Sequence, residues 1–228
     1  MPFAEITINR PCNSELLNAY TILNNSRDTV LSFLDAFDST RSNRNARGTP
    51  TDEEQDLLRA MLIFAASGLD SMVKQIIKDA LQSVIEIKPG AEQMFKQFVS
   101  RRIKRNDIID NNFIANVISN ENPREVLFAD LINELSGSSI QSTEQLLKTL
   151  SFFDIPSDII IEDRNKISYI FHARNEIVHE MDIDFSQPNR SRRPRGKRQM
   201  INSTKKLLIL ANKILESVDN ILSNQRAI

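Results

Sequence analysis

The chain has 228 residues, a formal net charge of −1, one Cys, two His, five Gly and no Trp. That length suits one domain able to bury a sizeable core without staples, and the single Cys12 excludes an internal disulfide framework and any cysteine-based metal cluster. Two histidines offer few ligands for another kind of metal site, so no metal or cofactor is expected, and the near-zero charge means that any nucleic-acid contact must come from local clusters.

No uninterrupted apolar run approaches the roughly 20 residues of a membrane span, and the N-terminus lacks a basic segment followed by an apolar one, so a soluble, cytoplasmic protein with no membrane contact is expected. Few apolar stretches alternate and glycines are scarce, which predicts an all-α fold. In chain order, the first 50 residues read as an N-terminal helix from Ser14 to Phe37 and a polar, Arg-rich loop from Asp38 to Pro50. Ser14 is the expected N-cap, and Leu16, Leu17, Tyr20, Leu23, Val30, Leu31 and Leu34 supply helical spacing. A second helix, the first of the core, begins near Thr51 with Glu54 completing a capping-box pattern, runs to about Glu86, and is stopped by Pro89-Gly90.

Between Ala91 and Leu150 the pattern breaks into shorter inserted helices. Another helix spans about Ser157 to Met181 or Asp182 and carries His172-Ala-Arg-Asn-Glu-Ile-Val-His179. A basic loop from Gln187 to Arg198, with Pro188, Pro194 and Gly196, leads to a final helix from Lys197 to Ser223, whose Leu207, Leu208, Leu210, Ala211, Ile214, Leu215, Val218 and Ile221 form one stripe. The whole reads as a single domain.

Ile167, Ile170, Ile177, Val178 and Met181 share one face of the penultimate helix, with Arg174 in the middle of that face. A guanidinium there needs an ion partner or a second polar surface. Asp70, among Ile63, Ala66, Ile77 and Leu81 of the second helix, is a candidate partner expected to accept from Arg174; a plain packing salt bridge would satisfy the same pattern. His172, Asn175 and His179 lie along another side, near Ser168 and Asp182.

The order Arg174-Asn175-three residues-His179, late in an all-α chain, resembles the arginine, four-to-six residues, histidine signature of the HEPN superfamily, with its frequent polar residue after the arginine. Ser67-Gly68-Leu69-Asp70-Ser71-Met72-Val73 resembles the first core helix of families related to the RiboL-PSP group, where an acidic residue recurs. The resemblance covers the second helix and the last two. It implies a HEPN-like helical bundle with extra helices inserted between the core helices, and metal-independent cleavage of RNA, often by toxins or antiphage-defence effectors whose two motifs face each other across a homodimer. On that reading the RNA 2′-hydroxyl is a built-in nucleophile, His179 moves protons, Arg174 stabilises charge developing on the phosphate, Asn175 orients the phosphate or the histidine, and Asp70 fixes Arg174. His172 is either a second proton-transfer group or a surface decoration.

Arg190, Arg192, Arg193, Arg195, Lys197 and Arg198 lie just beyond the motif and are expected to bind flanking RNA phosphates without reading sequence; otherwise they form a solvated loop. Arg101, Arg102, Lys104 and Arg105 form a second basic cluster. An antitoxin or regulatory protein partner is compatible with the toxin reading. The alternatives are a non-catalytic HEPN-like module that binds a nucleotide or a protein, and a purely structural helical scaffold.

Overall fold

The computed structural model describes residues 6–44, 48–105 and 108–224, without the side chains of 105, 108 and 109. The described residues form an all-α fold around one long helix. A 3-10 turn (Ser14–Leu16) leads into α1 (Leu17–Asn43), followed by α2 (Asp52–Ile87), α3 (Pro89–Ile103), α4 (Asn111–Ile118), α5 (Pro123–Gly137), α6 (Thr143–Ser151), α7 (Ser157–Ile160), α8 (Arg164–Glu180) and α9 (Lys197–Asn224). A two-residue antiparallel pairing of Lys104 and Arg105 with Ile109 and Ile108 interrupts this order between α3 and α4.

At 36 residues, α2 extends about 54 Å and is the axis of the molecule. Leu58, Met61, Leu62, Leu69, Met72, Ile76, Ile77, Leu81 and Val84 are all buried along it, because α1 covers one flank and α9 another. It is long and apolar enough to span a membrane by length and composition alone, and here that apolar surface is core. The capping box at its start is present: Glu54 N–H donates to Thr51 Oγ1 at 3.3 Å and Thr51 N–H to Glu54 Oε2 at 2.9 Å. Close approach of α1 depends on Gly68, where an added Cβ would fall 2.1 Å from Ser26 Oγ.

Three boundaries differ from expectation. Ser14 does not cap α1; Asn13 precedes the 3-10 turn, and its buried side chain is tied to α9 through Asp219 Oδ1 at 2.7 Å and Ser223 Oγ at 2.9 Å. The helix expected to end at Phe37 continues to Asn43 because Arg41 and Arg44 reach the buried Glu54 carboxylate, each at 3.1 Å. The helix expected to start at Ser157 is two: α7 ends at Ile160, and Asp163 starts α8 by accepting from Lys166 N–H at 3.1 Å. Pro89 ends α2 as expected and then opens α3 from its first turn.

Candidate functional site

The inner face of α8 packs Ile167, Ile170, Phe171 and Ile177 into the core, and Arg174 stands on that face where it begins to emerge. The helix runs past the core at this point: Val178 is 38% exposed, Met181 63% and Phe185, just beyond, 60%. Arg174 is half-buried and donates from Nη1 to Asn175 Oδ1 at 2.9 Å. Among the described residues no carboxylate lies within ion-pair reach of it. His179 is exposed in the last turn, and the five intervening steps of about 100° place it roughly 140° around the helix from Arg174.

Asp70 does not receive Arg174. Its Oδ1 accepts from the Ile140 amide at 2.7 Å and its Oδ2 from Lys74 at 2.9 Å, so the carboxylate is already satisfied by the α5–α6 connection and a neighbour on its own helix. The two residues belong to one polar chain nevertheless: Asn175 Nδ2 donates to the Gln141 carbonyl at 3.3 Å, one residue from the amide that Asp70 holds. Asp70 and Asn175 thus grip adjacent residues of the same connecting segment. His172, also exposed, points Nε2 at Glu176 Oε1, 3.3 Å away.

The basic loop is tied to the fold by ion pairs over part of its length. Asp182, fully buried just past α8, accepts from Arg59 Nε at 2.8 Å and Arg195 Nε at 2.9 Å. Arg195 also donates to Glu176 at 2.9 Å, and Arg193 Nε lies 3.2 Å from Glu176. Arg192 pairs with Asp56 at 2.6 Å, and Lys197 with Asp38. Arg193 and Arg195 are therefore committed to the carboxylates of Glu176 and the buried Asp182, Arg192 and Lys197 pair with the half-exposed Asp56 and Asp38, and Arg190 and Arg198 stand on the surface. A guanidinium already bonded to a buried carboxylate has little to offer a phosphate.

The charge states follow from these contacts. Burial disfavours the charged Arg195 guanidinium, but its bonds to Asp182 and Glu176 outweigh burial and hold its pKa above the ordinary arginine value. The hydrogen bond from Arg192 lowers the pKa of Asp56. Backbone geometry completes the clasp. Met181 and Asp182 both adopt left-handed φ, at 53° and 59°, and both amides donate to the Glu176 carbonyl. Such a conformation costs a non-glycine residue about 1 kcal/mol or more, and the buried ion cluster holds it in place. The result is that the chain beyond His179 is fixed against α2. Sequence reasoning missed Arg59, although it sits among Leu58, Met61 and Leu62 just as Asp70 sits among its apolar neighbours.

The second basic cluster is likewise occupied where it is described. Arg102 forms a two-point pair with Asp130 at 2.6 and 3.1 Å and lies over the Phe113 ring, while Arg101 pairs with Glu134 at 2.6 Å. The Arg105 side chain lies outside the described residues. Two adjoining clefts of about 350 and 530 Å³ separate α8 from α9, and neither includes Arg174 or His179. No group of three or more metal-ligating side chains occurs among the described residues. Comparison with known proteins finds no matching family model, no matching curated protein and no matching solved structure.

Proposed function

We propose that this chain is a HEPN-type endoribonuclease that cleaves RNA without a metal, acting as a toxin or antiphage-defence effector. The observation that carries the reading is a contrast between arginines. Arg59, Arg193 and Arg195 at the same end of the molecule are spent on carboxylates, whereas Arg174 is half-buried, oriented by the neutral Asn175 side chain, and retains its charge for an incoming anion. A cation preorganised in this way suits the charge that develops on a phosphate during attack.

The reaction needs no external nucleophile. The RNA 2′-hydroxyl attacks the adjacent phosphorus and the bond to the 5′-oxygen breaks; His179 takes the hydroxyl proton, the departing oxygen takes a proton from water, and a 2′,3′-cyclic phosphate and a 5′-hydroxyl result. Within one copy, the angular separation of Arg174 and His179 around α8 does not aim both at a single phosphate. Two copies facing each other across a two-fold axis would pair the arginine of one with the histidine of the other, so the proposal includes a homodimer. An antitoxin or other regulatory protein would be a natural partner of such an enzyme.

The test is incubation of purified protein with total RNA, with and without EDTA, followed by analysis of product ends. Cleavage in EDTA with cyclic or 3′-phosphate ends supports the reading. Ends carrying 5′-phosphate, or strict dependence on Mg²⁺ or Mn²⁺, overturn it. Absence of any cleavage would instead favour a non-catalytic binding module.

A further inference from the structure

Arg193 and Arg195 of the loop 190–198 are bound to the carboxylates of Glu176 and Asp182, and the polar side of α8 leads to another track for an RNA substrate. Asn165, Tyr169, His172, Glu176 and His179 fall within one sector of about 80° on the helix, and all but Glu176 are exposed. Tyr169 lies about 15 Å back along the helix from His179. It is 50% exposed at the wall of the larger α8–α9 cleft, and Gln199 of α9 donates to its hydroxyl at 2.6 Å, which tethers the tip of the ring to α9. Asn165, Asn202, Lys166 and Lys206 line the same cleft. Lys166 is paired with Asp163 at 2.7 Å, whereas Lys206 is exposed and has no carboxylate within reach among the described residues.

We infer that this cleft binds the single-stranded RNA flanking the scissile phosphate, with a base stacked on Tyr169 and a backbone phosphate on Lys206. This rests on the ribonuclease reading for what lies at His179, but the cleft's own chemistry argues for the ligand. A tethered, exposed aromatic ring, side-chain amides able to meet base edges, and an uncompensated ammonium are the components by which single strands are held. Duplex RNA would gain little from a stacking ring, because its bases are already stacked. The Lys166–Asp163 pair is exposed and weak, so Lys166 can exchange its partner for a second phosphate at little cost.

The experiment is fluorescence anisotropy of a labelled, unstructured oligoribonucleotide titrated with full-length His179→Ala protein, in which cleavage is blocked. Adding Tyr169→Ala should weaken binding about tenfold, while Tyr169→Phe, which keeps the ring but loses its tie to Gln199, should bind between the parent and the Ala variant. Adding Lys206→Ala should weaken binding and make the slope of log affinity against log salt shallower by about 0.7, the value for one single-strand phosphate contact. Unchanged affinity in both Tyr169→Ala and Lys206→Ala overturns the inference, as does binding of duplex in preference to single strand, or retention of a protein partner but no RNA. Cleavage by the wild-type chain is scored separately. Normal cleavage by Tyr169→Ala and Lys206→Ala chains at limiting RNA would remove the cleft and leave the nuclease standing. Tyr169-dependent RNA binding by a protein that never cuts would do the reverse.

Discussion

Arg174 and Asn175, adjacent in sequence, are hydrogen-bonded through their side chains at 2.9 Å, and Asn175 is itself anchored to the Gln141 carbonyl. The amide therefore acts as a fixed bracket for the guanidinium. Replacing Asn175 by Ala should lower RNA cleavage about tenfold by letting Arg174 swing, at a stability cost of about 1 kcal/mol for the lost hydrogen bond. Asn175→Asp neutralises Arg174 and also loses the Nδ2 donor to the Gln141 carbonyl, so cleavage should fall at least as far as in the Ala variant. Steady-state cleavage of a labelled oligonucleotide decides the matter, and an Asp variant as active as wild type would show that the free charge of Arg174 is not used.

His179 contributes almost nothing to packing, since it is exposed in the last turn of α8. Substitution by Ala should abolish cleavage and any growth inhibition on expression, while thermal stability stays within about 0.5 kcal/mol of wild type, the usual range for a surface change. Wild-type cleavage by the purified variant would leave the mechanism without its proton-transfer group.

Asp182 presents the opposite case. Removing the fully buried Asp182 carboxylate leaves the buried Arg59 with only the half-exposed Asp56 and the buried Arg195 with only Glu176 as ion partners, so Asp182→Ala should destabilise the fold by about 3 kcal/mol. Urea denaturation measures this directly. A loss below about 1 kcal/mol would mean that water or another acid replaces the carboxylate, and that the cluster does not hold the end of α8.

How far the sequence foretold these roles depended on the kind of signal. Helical periodicity and the Thr51–Glu54 spacing located α2 and α9 closely, because both are governed by local rules and by one continuous apolar stripe. Position 174 could be recognised as a cation on an apolar face, and position 179 as a polar helix end. The pairing of Asp182 with Arg59 could not, because the residues are 123 positions apart and no spacing rule links them. The same limitation hides the partners of Arg193 and Arg195: a run of arginines in sequence does not show the carboxylates that face it in space. Asp70 was correctly singled out as a polar residue needing a partner, but a backbone amide and Lys74 supply it.

The Asp56–Arg192 pair carries a pH dependence of definite sign. The folded-state pKa of Asp56 is lowered by its bond to Arg192, so its contribution to stability is fully present above the ordinary value of 3.8 and is lost as pH falls through the lower folded value. Asp56 is half-exposed, which limits the contribution to under about 1 kcal/mol and makes it sensitive to salt. Comparison of wild type with Asp56→Asn in denaturation series should therefore show a difference at pH 6 that shrinks toward pH 3. A difference that grows on acidification would contradict the assigned pair.

The emergence of the apolar face of α8 from the core leads to the remaining prediction, that the chain forms a homodimer through this end of the helix. Ile167, Ile170, Phe171 and Ile177 are buried, Arg174 is half-buried, Val178 brings the stripe into solvent, and Met181 and Phe185 are exposed on the segment that follows the helix. A stripe that changes from core to surface without becoming polar exposes apolar area that a facing copy would cover, contributing about 25 cal/mol for each Å² removed from water. An isologous contact also places each Arg174 near the other copy's motif, which the angular separation from its own His179 otherwise prevents. Light scattering should report about twice the monomer mass, and Met181→Asp should shift the protein toward monomer and reduce cleavage together, without loss of helical content. Mixing inactive Arg174→Ala with inactive His179→Ala chains should restore part of the activity, because one of the two clefts in a mixed dimer retains both groups. A fully active monomer at assay concentration would refute the shared site while leaving cleavage by a single copy as the remaining possibility.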